Sequence, residues 1–190
     1  LNSGFFTIRT LVYFLIFVVA SRYFFGQSRL QDETGDVGIT LKLQKWSGPF
    51  IILFSLALNF AAFDWMMSTD PAWFSTIYGV YIFAASMFSF FALMLLSCYM
   101  LQRRGRVERI VRVEHYHDLA KFQFGFIVFW AYIAFSQFML YWYGNIPEET
   151  LWYAHRMSHG WQYVGLMLIA LHFAIPFFAL LKRKHRRNPS

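Results

Sequence analysis

Five apolar runs of membrane length, set apart by short clusters of charge, constrain this chain more than any other feature. They fall at about residues 5–25, 48–67, 71–101, 118–143 and 159–181. About 20 apolar residues in a helix cross a bilayer core, and a helix is what satisfies every backbone amide there. The expected fold class is therefore all-α: one domain over residues 1–190, a polytopic transmembrane helix bundle of about five spans. Composition agrees. Charged residues make up 14% of the chain and hydrophobic ones 58%, where soluble domains carry about 25% charge. The net charge of +7 sits in loops beside the apolar runs. That is the pattern of membrane topology, not of a nucleic-acid interface.

Taken in order, the first run ends at Arg22 and Arg29, and the polar stretch QSRLQDETGDVGITLKLQK is expected to be an exposed, mobile loop. The second run has Pro49 where the first turn of a helix tolerates proline. Asp70-Pro71 reads as a cap and an N1 proline starting a long third helix, Pro71–Leu101. At near 30 residues that helix must tilt or protrude. Pro147-Glu148-Glu149 starts a short helical segment before the fifth run, and KRKHRRNPS closes the chain as a basic stop.

Counting Lys and Arg gives an orientation. Fifteen of the seventeen lie on one side. These are Arg22, Arg29, Lys42 and Lys45, then Arg103, Arg104, Arg106, Arg109, Arg112 and Lys121, then Lys182, Arg183, Lys184, Arg186 and Arg187. Only Arg9 and Arg156 fall on the other. The fifteen-residue side is expected to be cytoplasmic, with the residue 1 end outside and the residue 190 end in the cytoplasm. A chain that begins at Leu1 outside, without a charged leader, is expected to be a processed product or the later part of a longer polypeptide with an odd number of preceding spans.

Chemistry concentrates at the mouths of the fourth run. Glu114, His115, His117, Asp118 and Lys121 open it; Glu148, Glu149, His155, Arg156 and His159 follow it. Ionisable groups are costly at membrane depth, so such clusters need a reason. Asp118, Lys121, Gly125, Tyr132, Ser136 and Tyr143 recur at helical spacing, with Phe122, Phe126 and Ile133 expected on other faces. Two readings of this stripe stay open: hydrogen bonding between helices, or a hydrated half-channel entered at Glu114–Asp118. In the fifth run His172 is the one deep histidine, and Pro176 removes the helical partner of its carbonyl. Together Glu114, His115, His117, Asp118, Lys121 and His172 are candidates for a proton path. On the outer side Asp64, Trp65, Gln137, Tyr141, His155 and His159 are candidates for a quinol pocket, with Asn59, Asp70, Trp73 and Arg156 nearby. Oxidising a quinol needs a base for its hydroxyls and flat faces for its ring.

Redox centres are not expected on this chain. Its single Cys98 cannot hold an iron–sulfur cluster alone, and no Cys-x-x-Cys-His is present for haem c. A haem b needs facing histidines at similar depth, which His172 lacks; His155 and His159 are expected to share one interfacial helix. No metal site is expected.

The segments FDWMMSTDPAWFSTIYGVYIFAAS, EHYHDLAKFQFGFIVFWAYIAFSQFMLYWYGNIPEETLWY and HRMSHGW resemble one family. It is the second large NrfD-like (polysulfide-reductase-type) membrane subunit of alternative complex III, the bacterial quinol:electron-acceptor oxidoreductase. The resemblance is strongest over Phe63–Trp161. It implies ten spans with both ends cytoplasmic, of which this chain would be the C-terminal half. It also implies outer-face haem c and iron–sulfur subunits, a second NrfD-like subunit as partner, and quinol or menaquinol as the substrate of the complex. The quinol pocket of that fold tends to lie in the first four-helix bundle, so a proton-path or scaffold role is implied for this half. A secondary transporter would want broken helices in matched halves, and a structural anchor would not need the charged mouths. Topology can be checked directly on a background lacking Cys98. Cysteines placed at Gly105 and Thr150 should label from opposite sides, position 105 from the cytoplasm. Labelling from the same side would contradict five spans.

Overall fold

The computed structural model of the chain describes residues 2–107 and 110–181. Arg109 and the tail residues Lys182, Arg183, Lys184, Arg186 and Arg187, used in the charge count, lie outside them. The described residues form helices and connecting turns, with no strand among them. Five helical stretches are long and apolar enough to cross a membrane, with mean hydropathy between 1.6 and 2.4. The chain is an all-α, multi-pass membrane protein, and it divides into two compact units, Leu1–Pro71 and Ala72–Ser190.

The first unit is a helical hairpin, α1 (Ser3–Thr34) against α2 (Val37–Trp65), with a 3₁₀ turn at Met67–Thr69. The polar stretch expected as a mobile loop is helical on both sides of a two-residue turn. Gly35 ends α1 in the left-handed conformation, φ 67°, donating its N–H to Gln31 O at 2.8 Å. Asp36 then caps α2, accepting from the Gly38 N–H at 2.8 Å. Gln31 Nε2 donates to Thr40 Oγ1 across the turn. Gly-Asp thus supplies a C-terminal and an N-terminal cap back to back, so the chain reverses without a loop. One consequence is that Pro49 lies well inside α2, not in its first turn. It leaves the Lys45 carbonyl without its helical donor. Packing is by small residues: Ala57 and Ala61 of α2 lie against Tyr13, Ile16 and Phe17 of α1.

In the second unit α3 (Tyr78–Arg103) packs along α4 (Val113–Gly144), and the short α5 (Pro147–Arg156) follows. The last span is α6 (Trp161–Leu168), a π-helical stretch (Ile169–Ala174) and α7 (Ile175–Leu181). The expected helix start at Pro71 is overturned. Residues 71–77 are turns and irregular backbone, because tertiary packing outweighs the capping signal. Trp73 is buried and stacks on Trp152 of α5 at 4.6 Å, and buried Ser75 accepts from Gln137 of α4 at 3.2 Å. A helix there would turn both side chains away. At its other end α3 is tied to α4 by Tyr116, whose hydroxyl donates to Gln102 Oε1 at 2.8 Å.

Helix α4 starts one turn before its apolar run. The Arg112 N–H donates to His115 Nδ1 at 2.9 Å, so His115 does the work that Glu or Gln does in a capping box. Asn145 ends the helix at φ 48°. In α5 the proline-led start holds as expected. Glu148 and Glu149 sit in the first turn and His155 and Arg156 in the last, each matching the helix dipole.

Candidate functional site

In the first unit a charged cluster sits near the end of the hairpin. Arg9 Nη2 reaches Asp64 Oδ1 at 2.8 Å, and the Tyr13 hydroxyl donates to Asp64 Oδ2 at 2.7 Å. Both carboxylate oxygens are thereby engaged. Trp65 lies beside this group, its indole N–H donating to Thr10 Oγ1 at 3.2 Å and its ring meeting Tyr13 edge-on at 5.9 Å. Arg9 and Tyr13 were missed as site residues. The signal was a cation early in the first apolar run, a tyrosine one helical turn later, and a lone carboxylate in the second run. Asp64 and Trp65 belong to this unit, whereas Gln137, Tyr141, His155 and His159 belong to the other.

In the second unit the polar residues expected at the outer end form an aromatic girdle. Trp73 stacks on Trp152 and meets Tyr141 edge-on at 6.4 Å; Tyr153 packs against Tyr141 at 5.9 Å and Phe138 at 5.4 Å. The Arg156 guanidinium lies over Trp152 at 3.5 Å. Burial pushes the Tyr153 phenol pKa up, so it stays protonated across the physiological range. Gln137 is spent on Ser75, and the Tyr141 hydroxyl donates to the Phe74 carbonyl at 3.3 Å. His155 and His159 do not share a helix. α5 ends at Arg156, and His159 and Gly160 take left-handed conformations, φ 54° and 90°, to redirect the chain into α6. His159 Nδ1 lies 2.9 Å from Ser158 Oγ. Among the described residues no three His, Cys, Asp or Glu side chains are placed to hold a metal ion.

His172 sits in the π-helical stretch, its ring 4.4 Å from Phe88 of α3 and 4.6 Å from Trp130 of α4. Its Nε2 is buried and has no hydrogen-bond partner among the described residues. The wider register alters the expectation about Pro176. The Ile175 N–H reaches Ala170 O, five residues back. In that register the acceptor deprived by Pro176 is Leu171, not His172.

The α4 stripe is the largest departure. The face that α4 buries is Tyr116, Ala120, Ile127, Trp130, Ile133 and Gln137. Asp118, Lys121, Gly125, Tyr132 and Tyr143 are exposed. The stripe lies off the buried face of α4, with Ser136 half-buried. Phe122 and Phe126, expected elsewhere, line one groove with Asp118, Lys121 and Gly125. Asp118 pairs with Lys121 at 2.7 Å, while Glu114 and His115 are exposed and His117 half-buried at the head of the helix. His172 touches the buried face through Trp130, so it and Asp118 do not meet.

No family model matches the chain, and no curated protein matches it.

The hairpin cluster makes a stability prediction. Asp64→Leu strands the Arg9 guanidinium and the Tyr13 hydroxyl together. It should destabilise the protein in detergent by about 2 kcal/mol, the scale of hydrogen bonds to a charged group. Arg9→Met added to Asp64→Leu should recover much of that loss, because apolar replacement of both partners removes the stranded charge. Thermal unfolding followed by circular dichroism measures both. A double variant less stable than Asp64→Leu alone would show that the pair is not a structural lock.

Proposed function

We propose that this chain is an integral membrane subunit of a bacterial respiratory quinol:electron-acceptor oxidoreductase of the alternative complex III type, with no redox centre of its own. It would lie in the bacterial cytoplasmic membrane, its residue 1 end outside and its residue 190 end in the cytoplasm. It would work beside a second NrfD-like subunit and outer-face haem c and iron–sulfur subunits. The resemblance over Phe63–Trp161 supports the family, and the five apolar helices are consistent with it.

Within that complex the role best supported is proton handling. The observation that carries it is His172, a titratable ring in a membrane span whose Nε2 is buried, without a partner among the described residues, where the helix widens. An imidazole can take and release a proton near neutral pH, and π-helical breaks are common at functional sites. Glu114, His115 and His117 are the groups that would collect protons at the head of α4. Asp118, tied to Lys121, serves as an anchor in this reading. A quinol pocket finds less support. The Asp64 oxygens are engaged by Arg9 and Tyr13, and Gln137 is engaged by Ser75.

Affinity purification of the chain from its native membrane should bring haem c, iron and a second NrfD-like subunit with it. His172→Phe should keep that assembly and lower the rate of proton uptake about a hundredfold, the low end of what a positioned acid–base group contributes. A preparation free of haem and iron would overturn the assignment in favour of a transporter or anchor. Unchanged proton uptake in an assembled His172→Phe complex would remove the proton role.

A further inference from the structure

The outward face of α4 carries an open groove of ≈ 480 Å³ lined by Asp118, Lys121, Phe122, Gly125, Phe126 and Phe129. Charge is confined to one end. Beyond the Asp118–Lys121 pair the walls are phenylalanine: Phe122 and Phe126 both stack on Phe91 of α3, at 5.4 and 5.7 Å. Gly125 forms an open stretch of the wall, since a Cβ added there would meet nothing within 4 Å.

The length of this groove points to its occupant. From Asp118 to Phe129 the helix advances about 16 Å at 1.5 Å per residue. That is close to one leaflet, half of the roughly 30 Å hydrocarbon core. A groove charged at the end near the basic α3–α4 loop and aromatic for one leaflet's depth has the shape of a lipid.

Headgroup chemistry narrows it further. An ammonium has three donors and a carboxylate two accepting oxygens. The ion pair joins Lys121 Nζ to Asp118 Oδ1, which leaves donors on Lys121 and Oδ2 of Asp118 for a ligand. A phosphate can take a Lys121 donor while a primary ammonium donates to Oδ2, closing a square of alternating charge. A headgroup with phosphate alone would set its anion against Oδ2. A quaternary ammonium has no N–H to donate.

We propose that this groove holds one aminophospholipid, a lipid whose headgroup carries both a phosphate and a primary ammonium. It is drawn from the leaflet on the basic-loop side, its acyl chain lying along Phe122, Gly125, Phe126 and Phe129. The inference stands apart from the respiratory assignment, because it uses only this chain and its bilayer.

The test is native mass spectrometry of the full chain in mild detergent, titrated with phosphatidylethanolamine, phosphatidylcholine and phosphatidylglycerol of identical acyl chains. One phosphatidylethanolamine should be retained per chain at concentrations where the other two are retained about tenfold less. Gly125→Leu, which fills the open stretch and improves helix propensity, should cut that retention about tenfold with helix content unchanged. Asp118→Asn should erase the preference over phosphatidylglycerol. Equal retention of the three lipids by the unaltered chain would overturn the proposal and requires no variant. So would full retention by Gly125→Leu, or a photo-crosslinker at Phe122 in native membranes that captures polypeptide in place of lipid.

Discussion

Inside a bilayer no water is present to bond a backbone amide, so each segment must satisfy its own. The rest of this molecule depends on that. It makes every span a helix, and it explains why the places where the ladder fails are so few. Pro49 interrupts α2. Pro176 follows a π-helical stretch in which the chain has already shifted to a five-residue register. That shift also changes how the last span presents His172 to Phe88 and Trp130. A backbone adjustment and an unusual side-chain environment therefore share one cause.

Side chains obey the same economy. With lipid as apolar as leucine, helices gain little by hiding hydrophobic surface from it, and close packing takes over. Ala57 and Ala61 in α2, and Gly79 and Ala84 in α3, are buried where large residues such as Leu11, Ile51 and Leu93 remain exposed. Charge within the hairpin is tolerated because it is paired: Arg9 and Tyr13 between them engage both oxygens of Asp64. On α4 the charge is tolerated for another reason. Asp118 and Lys121 lie near the start of the helix, where long side chains can reach the interface.

Much of this was legible in the sequence. Apolar run length alone located five membrane helices, and Pro147 with its two glutamates located α5. What escaped was decided by contacts or by single turns. The polar stretch at residues 27–45 looks like a loop by composition, yet Gly35-Asp36 compresses the turn into two residues. Asp70-Pro71 has the chemistry of a helix start, and the burial of Trp73 against Trp152 overrides it. His155 and His159 have helical spacing, but α5 ends at Arg156 and His159 lies in the left-handed turn that leads into α6. The α4 stripe was the subtlest case. Its spacing is helical, but polarity does not say which face is buried. Tyr116, Trp130 and Gln137, an equally periodic set, took the interior because their large side chains meet partners on α3, on α7's approach and at Ser75.

Which face of α4 lies inside therefore decides between an internal hydrated path and a lipid-facing surface. Nitroxide labels placed singly from residue 119 to 137 of the chain in bilayers, with collision rates for oxygen and for a water-soluble nickel chelate, measure it directly. The expected result is a 3.6-residue oscillation: oxygen contact high at Phe122, Val128, Tyr132 and Phe135, low at Ala120, Ile127 and Trp130, and little nickel contact below Lys121. Nickel contact persisting from Gly125 to Tyr132 would mean that the stripe lines water, and would contradict the account.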